Sequence, residues 1–406
     1  MLAHNVVMIA VAAGVGSVIL RPRLLRSPAW RATITPLASI IGSGFLVVGP
    51  ILAHTVGNWA WLAMAALCAV AYLFGFAIRR NIRFVEPMLR KGAPRAVVTL
   101  EKASDLALSF AYFVSVAYYL NLFASFALRG LGLVDIELTR ALSSAAIVTI
   151  ATFGFYRGLR GLETIEEIAV GTKLSLIAGL VAAMALSAII AIADGAAILA
   201  PVAHETGLHE FQVLLGLIIL VQGFETSRYL GASYDREMRV RTMRRAQWLS
   251  SAIYLVFIVL LTPFFRGTLP SIGGETAVID MLSPLGFLAA PIIIIAAIAS
   301  QLSAAVADMN GAGGMLAGTT AQRISVHAGY IITAAAAVLI TWAADIYEII
   351  VYASKAFVIY YALQCALAAL VAMLPGHQRS HLSALVSILG IIIAGLVLTL
   401  GVPVEA

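Results

Sequence analysis

Charge is scarce in this chain. Asp, Glu, Lys and Arg make up 11% of its 406 residues, less than half of the roughly 25% typical of soluble domains. That shortage excludes a water-covered globule. With 62% hydrophobic residues and a mean hydropathy of +0.99, the chain reads as a lipid-embedded protein, since a charge at the bilayer centre costs at least about 2.5–3.5 kcal/mol. Cysteine is nearly missing as well. Cys68 and Cys365 both fall in apolar runs, so no disulfide framework is expected and neither speaks to a redox compartment.

Enzyme signatures are also absent. The sequence carries no Gly-x-Ser-x-Gly, no P-loop and no Asp-rich diphosphate motif. His204 and His209, each followed by a glutamate, stand five apart, whereas a zinc helix needs its histidines four apart to share a face. No catalytic residue, metal or cofactor is expected, and the chain is not read as an enzyme. Without a soluble nucleotide-binding domain it is not read as a primary pump. The 26 Lys and Arg exceed the 20 Asp and Glu, leaving a formal charge of +6. Most of these cations lie in short loops between apolar runs, where they set topology rather than bind nucleic acid.

What the sequence has in abundance is membrane-length helix. A helical span needs about 20 apolar residues, and twelve stretches qualify: roughly 4–20, 34–56, 59–78, 103–128, 139–156, 165–193, 210–234, 246–265, 284–312, 327–344, 347–374 and 381–402. Arginine clusters follow the first, third, fifth and seventh, from Arg21–Arg31, Arg79–Arg95 and Arg157–Arg160 to Arg236–Arg245. The intervening loops hold only Arg129, Arg140 and Arg266. Arginine-rich loops face the cytoplasm, so a multi-pass protein of the cell inner (plasma) membrane is expected, with both termini outside. Met1–His4 lacks the basic start of a signal peptide, and the first span reads as an uncleaved anchor.

Two spans carry groups that lipid does not tolerate without a reason. In the second, Gly42-Ser43-Gly44 sits mid-span with Ser39 one turn earlier and Gly49-Pro50 at its end. Glycines there permit an unwound stretch whose amides attract a carboxylate, or else close packing against a neighbouring helix. In the seventh, Gln222, Gly223 and Glu225 interrupt an apolar run. An ionisable residue at such depth points to function; the competing reading pairs Glu225 with Arg228.

The run Ile41-Gly42-Ser43-Gly44-Phe45 with Gly49-Pro50 resembles the first core helix of the amino acid–polyamine–organocation (APC) superfamily. Gly223-Phe224-Glu225 and the basic loop to Arg245 resemble its sixth. The resemblance implies an all-α integral membrane protein with two five-helix inverted repeats, at 33–195 and 196–375. It leaves an extra N-terminal helix and basic loop at 1–32 and an extra C-terminal helix at 376–406. It implies Gly42, Ser43 and Gly44 as amides for a substrate carboxylate, with Gln222, Gly223 and Phe224 as the opposing wall. Glu225 would brace or gate the site.

Two lysines lie inside apolar runs, Lys173 and Lys355. Lys173 stands 130 residues after Ser43 and Lys355 132 after Gly223, as matched halves would have it. Lys173 resembles the fifth-helix lysine that replaces sodium in proton-coupled or exchanging members of the superfamily. A lysine removed from water can release and take back a proton. Its expected neighbours are second-span carbonyls with Ser300 and Ser303; snorkelling to the interface is the plainer alternative. Lys355 is expected to pair with Glu348 or Asp345, or to serve transport. Tyr118 is a candidate substrate contact, although core packing is the better expectation for it and for Tyr119. Asp308 and Asn310 are expected to cap the ninth span in solvent.

The reading is a sodium-independent secondary transporter of an amino acid, amine or related small organic solute. Its expected partners are that solute, protons and the lipid bilayer, with no nucleic acid. The alternative is a channel or uniporter for an inorganic or small organic ion. Substrate identity and oligomeric state are not legible.

Overall fold

Side-chain oxygens mark where several helices begin. Asp135 accepts from the Leu138 amide at 2.7 Å, Asp235 from Met238 at 2.9 Å, and Ser325 from Ala328 at 3.1 Å. Asp345 takes both Tyr347 at 2.8 Å and Glu348 at 3.0 Å. Each cap satisfies amides that the first helical turn leaves without a partner. The computed structural model describes residues 1–158, 163–195, 207–265, 273–374 and 381–405, and every regular element among them is helical.

In chain order the first half contains α1 (Leu2–Ile19), the short α2 (Pro22–Leu25), α3 (Pro28–Val56), α4 (Ala60–Arg80), the short α5 (Glu86–Lys91), α6 (Arg95–Gly130), α7 (Ile136–Arg157) and α8 (Glu163–Ala193). The second contains α9 (Leu208–Gly216), α10 (Thr226–Tyr229), α11 (Arg236–Leu261), α12 (Val278–Met281), α13 (Ala289–Thr319), α14 (Val326–Ala343), α15 (Ile346–Met373) and α16 (His381–Leu400). Ten helical runs among the described residues are long and apolar enough to cross a membrane, and one of them, Pro28–Lys91, joins α3, α4 and α5. The expected seventh span is not one of the ten, because it is split between α9 and α10.

α6 is the axis of the bundle. Of its most apolar stretch 72% is buried, against 11% for α1 at the periphery. α13 and α15 pack along α6, α11 packs on α3, and α1 lies against α8. The α1–α8 seam is built on small residues: a Cβ at Gly179 would stand 2.5 Å from the Met8 carbonyl oxygen. Asn5 at the start of α1 accepts from the Leu288 amide at 3.3 Å, tying the helix to the loop before α13.

Three expectations change. α3 runs unbroken across Gly42–Gly44. Glycine permits unwinding without requiring it, and here the missing side chain serves close approach: a Cβ at Gly44 would lie 2.5 Å from Leu220 Cδ2. α13 continues through the glycine run to Thr319, and its glycines serve packing: a Cβ at Gly311 or Gly313 would meet the Tyr112 or Tyr330 ring at 2.8 or 2.6 Å. Asp308 is therefore 2% exposed rather than solvated and accepts from the Ser115 hydroxyl, while Asn310 accepts from Tyr330 at 2.9 Å. The basic loop from Arg236 is the first turns of α11, and Arg239 on it is buried.

Candidate functional site

The interruption between α9 and α10 is built residue by residue. Ile218–Val221 tightens into a single 3-10 turn, Gln222 is extended (φ −84°, ψ 174°), and Gly223 takes φ +119°. Only glycine adopts that angle without strain. A Cβ there would also stand 2.5 Å from Ser39 Oγ and 2.6 Å from the Ile40 nitrogen, so the break lies directly on α3. Unwound backbone buried away from water needs new partners, and three side chains supply them. Ser354 donates to the Gly216 carbonyl at 2.6 Å and accepts from the Ile219 amide at 2.9 Å. The Tyr254 hydroxyl lies between Leu220 O at 2.7 Å and Ile40 O at 2.9 Å. Thr226 donates to Gly223 O at 2.7 Å.

Glu225 closes the turn. Its Oε2 accepts from the Gly223 amide at 3.0 Å and from the Tyr361 hydroxyl at 2.9 Å. Tyr361 is held by stacking on Phe74 and Phe224, with centroids 4.9 and 5.2 Å apart. Arg228 turns away from Glu225. It forms an ion pair with Glu101 and donates to Gln364, which removes the competing reading of a Glu225–Arg228 pair. Gln222 donates to the Tyr119 hydroxyl at 2.8 Å, and Tyr118 is fully buried with its ring 5.2 Å from that of Tyr119.

Lys173 is fully buried on α8. Its ammonium donates to Ala38 O at 2.7 Å and reaches Ser300 Oγ at 3.3 Å. That geometry excludes snorkelling. Gly42 makes room for it, since a Cβ there would be 3.3 Å from Nζ, and the neighbouring Gln301 donates to Gly42 O at 3.2 Å. Ser303 faces elsewhere, donating to the Ser300 carbonyl at 3.0 Å. Two groups therefore gather on α3: Lys173, Ser300 and Gln301 around Ala38–Gly42, and the break, with Gly223 against Ser39–Ile40 and Leu220 against Gly44. The Ser43 backbone belongs to α3, and its side chain lies outside the described structure.

Other expected features separate from the site. Lys355 is half-buried with no ion pair among the described residues, because Asp345 and Glu348 form the capping box of α15, the Glu348 carboxylate accepting from the Asp345 amide at 2.9 Å. His204 and Glu205 lie outside the described residues, and His209 sits exposed in the first turn of α9. No motif in the sequence singles out Tyr254, Gln301, Ser354 or Tyr361. Their signal was available, a polar group in an apolar helix, but several unremarkable residues share it.

The two ends of the bundle differ. At the arginine-rich end, Arg239 bonds Glu86 at 2.5 Å with 2% and 16% of their side chains exposed, and also donates to the Arg228 carbonyl at 2.8 Å. Gln364 on α15 gathers Asn81 just after α4, Ser104 on α6 and Arg228 on α10. At the opposite end a cavity of about 570 Å³ descends to Asn121 on α6, two residues beyond Tyr119.

Apolar membrane-length helices, one of them broken mid-bundle with polar groups collected at the break, define a helical membrane transporter. A profile of APC superfamily transporters matches residues 22–400. An uncharacterized protein of Aquifex aeolicus (strain VF5) is 41% identical over 356 residues, 87% of this chain and 86% of that protein. The chain belongs to the APC superfamily of transporters. Its fold is similar to that of a Na+-coupled sialic acid symporter solved substrate-bound and outward-open, at TM-score 0.52 and 13% identity over 99% of this chain and 98% of that one. It is also similar to a mutant of the manganese transporter of Eremococcus coleocola, at TM-score 0.55 and 11% identity over 93% of this chain and 87% of that one.

Proposed function

We propose that the protein is a secondary active transporter of an amino acid, amine or related small organic solute, independent of sodium and working by alternating access with proton coupling or exchange. The observation that carries this reading is the Lys173 ammonium, 2.7 Å from Ala38 O and 3.3 Å from Ser300 Oγ. A carbonyl and a hydroxyl are hard oxygen ligands of the kind a cation requires, and here a fixed ammonium already fills their midst. The similarity to a Na+-coupled symporter and to a manganese transporter extends to fold alone, so neither cargo transfers to this chain. Proton release from Lys173 loosens its hold on α3, and this links the state of the lysine to the state of the helix.

The solute is held between Gly42–Gly44 of α3 and Gln222–Phe224, with Tyr118 on α6 near the wall. For the amides of Gly42–Gly44 to meet a carboxylate, α3 must unwind there on binding, which its glycines allow. Glu225 braces the opposing break through Gly223 and Tyr361. With the arginine-rich loops in the cytoplasm, both termini face outside in the inner membrane. The buried Arg239–Glu86 and Arg228–Glu101 pairs then seal the inner side while the 570 Å³ cavity faces out. One sealed and one open end favour a carrier over a continuous pore. Counterflow tests this: vesicles preloaded with the unlabelled solute accumulate labelled solute through a carrier, and a channel produces no such overshoot.

A further inference from the structure

The outer cavity contains a carboxylate without a partner among the described residues. Glu275, in the turn Gly274–Thr276 of the loop between α11 and α13, is 8% exposed and lines the cavity. It has no hydrogen-bond or ion-pair partner among the described residues. A second group stands in the same wall: the Tyr347 hydroxyl at the start of α15 is buried without a partner among the described residues. A buried polar group without a partner is rare in interiors, and the Tyr347 hydroxyl in the same wall as the cavity-facing Glu275 carboxylate points to a ligand that completes both.

The chemistry of the ligand follows from what the wall offers. Asn121, at the cavity floor, commits its amide nitrogen to Ala117 O at 2.8 Å and Thr341 Oγ1 at 2.9 Å, which leaves its carbonyl oxygen as an acceptor. The two cavity arginines are already engaged by carboxylates outside the lining, Arg129 with Asp280 at 2.6 Å and Arg140 with Glu137 at 3.3 Å. The remaining charge of the lining is negative. The backbone presenting Glu275 is fixed by Thr276, whose hydroxyl and amide bond Gly273 O at 2.8 and 3.0 Å. Tyr347 is anchored by its own amide on Asp345. Among the described residues no three carboxylate, imidazole or thiol side chains stand together as metal ligands. A primary ammonium suits the wall better, with three donors for a carboxylate, a phenol oxygen and an amide oxygen.

We propose that Glu275 and Tyr347, with Asn121, form an outer binding station for the primary ammonium group of an organic solute. The proposal rests on the transport reading and extends it by giving the solute a cationic amine, which the station takes before it reaches the break between α9 and α10.

Leu133 is 45% exposed and lines the cavity, while the native Cys68 and Cys365 are buried. A Leu133→Cys protein, labelled with an environment-sensitive fluorophore and purified full-length, reports arrival in the cavity without requiring transport. Titration with ethylammonium chloride gives a saturable change; tetraethylammonium and sodium chloride at equal ionic strength give none. Glu275→Gln weakens the ethylammonium response by about tenfold or more, as expected for the loss of a charge-assisted hydrogen bond. Tyr347→Phe weakens it without loss of fold, and the response survives Lys173→Ala. An unchanged titration in Glu275→Gln, or an equal response to tetraethylammonium or sodium, overturns the station. A station that responds in a protein showing no counterflow overturns the transport reading instead.

Discussion

The Lys173 ammonium meets the Ala38 carbonyl at 2.7 Å across 135 residues of chain, and the same separation joins Ile219 to Ser354 in the second half. In each half, a long helix late in the sequence sends a polar group to the backbone of an earlier one. The first half uses the ammonium of a lysine, the second a hydroxyl. The helix that meets the lysine stays wound, and the one that meets the serine is broken. The chargeable member of the pair, Lys173 on α8, therefore meets the helix that is wound.

Gly223→Ala tests the break itself. At φ +119°, with Ser39 Oγ 2.5 Å from the added carbon, strain and overpacking together lower stability by about 2 kcal/mol or more. The thermal unfolding midpoint in detergent falls and solute-induced stabilisation disappears. An alanine protein of unchanged midpoint contradicts this account of the turn.

Tyr361→Phe removes one of two donors to the buried Glu225 carboxylate and costs about 2 kcal/mol, the range for hydrogen bonds to charged groups. Glu225→Gln keeps an oxygen for both donors and costs about 1 kcal/mol. Chemical unfolding of the two variants ranks them. The reverse order means that the charge of Glu225, rather than its two hydrogen bonds, holds the turn.

The sealed end yields a double-mutant cycle. Arg239→Met or Glu86→Leu alone strands a mostly buried charge and costs about 3–5 kcal/mol. Combined, they recover about half of the summed loss, the remainder reflecting the Arg239 bond to the Arg228 carbonyl. Simple additivity of the two losses argues that the pair is not coupled.

Much of the fold was legible because lipid imposes a length rule on apolar helices. Expected stretches such as 327–344 and 347–374 match α14 and α15 to within a residue or so. The break at Gly223 was legible because Gln222 and Glu225 have no place in a plain apolar helix. The winding of α3 was not, since Gly42-Ser43-Gly44 is compatible both with unwinding and with close packing, and the choice depends on Leu220 across the interface. Asp308 was misjudged for a related reason. Its glycine-rich surroundings resemble a helix end until Tyr112 and Tyr330 are seen filling the space beside them. Of the expected neighbours of Lys173, a second-span carbonyl and Ser300 stand beside it and Ser303 does not, whereas Glu275 and Tyr347 carry no motif and are visible only as groups without partners among the described residues in one cavity wall.

The most direct measurement is proton-gradient-driven uptake of labelled amino acids and amines into sodium-free proteoliposomes, with wild-type protein beside Lys173→Ala. The account predicts sodium-independent, gradient-driven accumulation by the wild type. It predicts none by Lys173→Ala, which remains folded and monodisperse. Gradient-driven uptake that is unchanged in Lys173→Ala, or uptake that appears only when sodium is added, contradicts it.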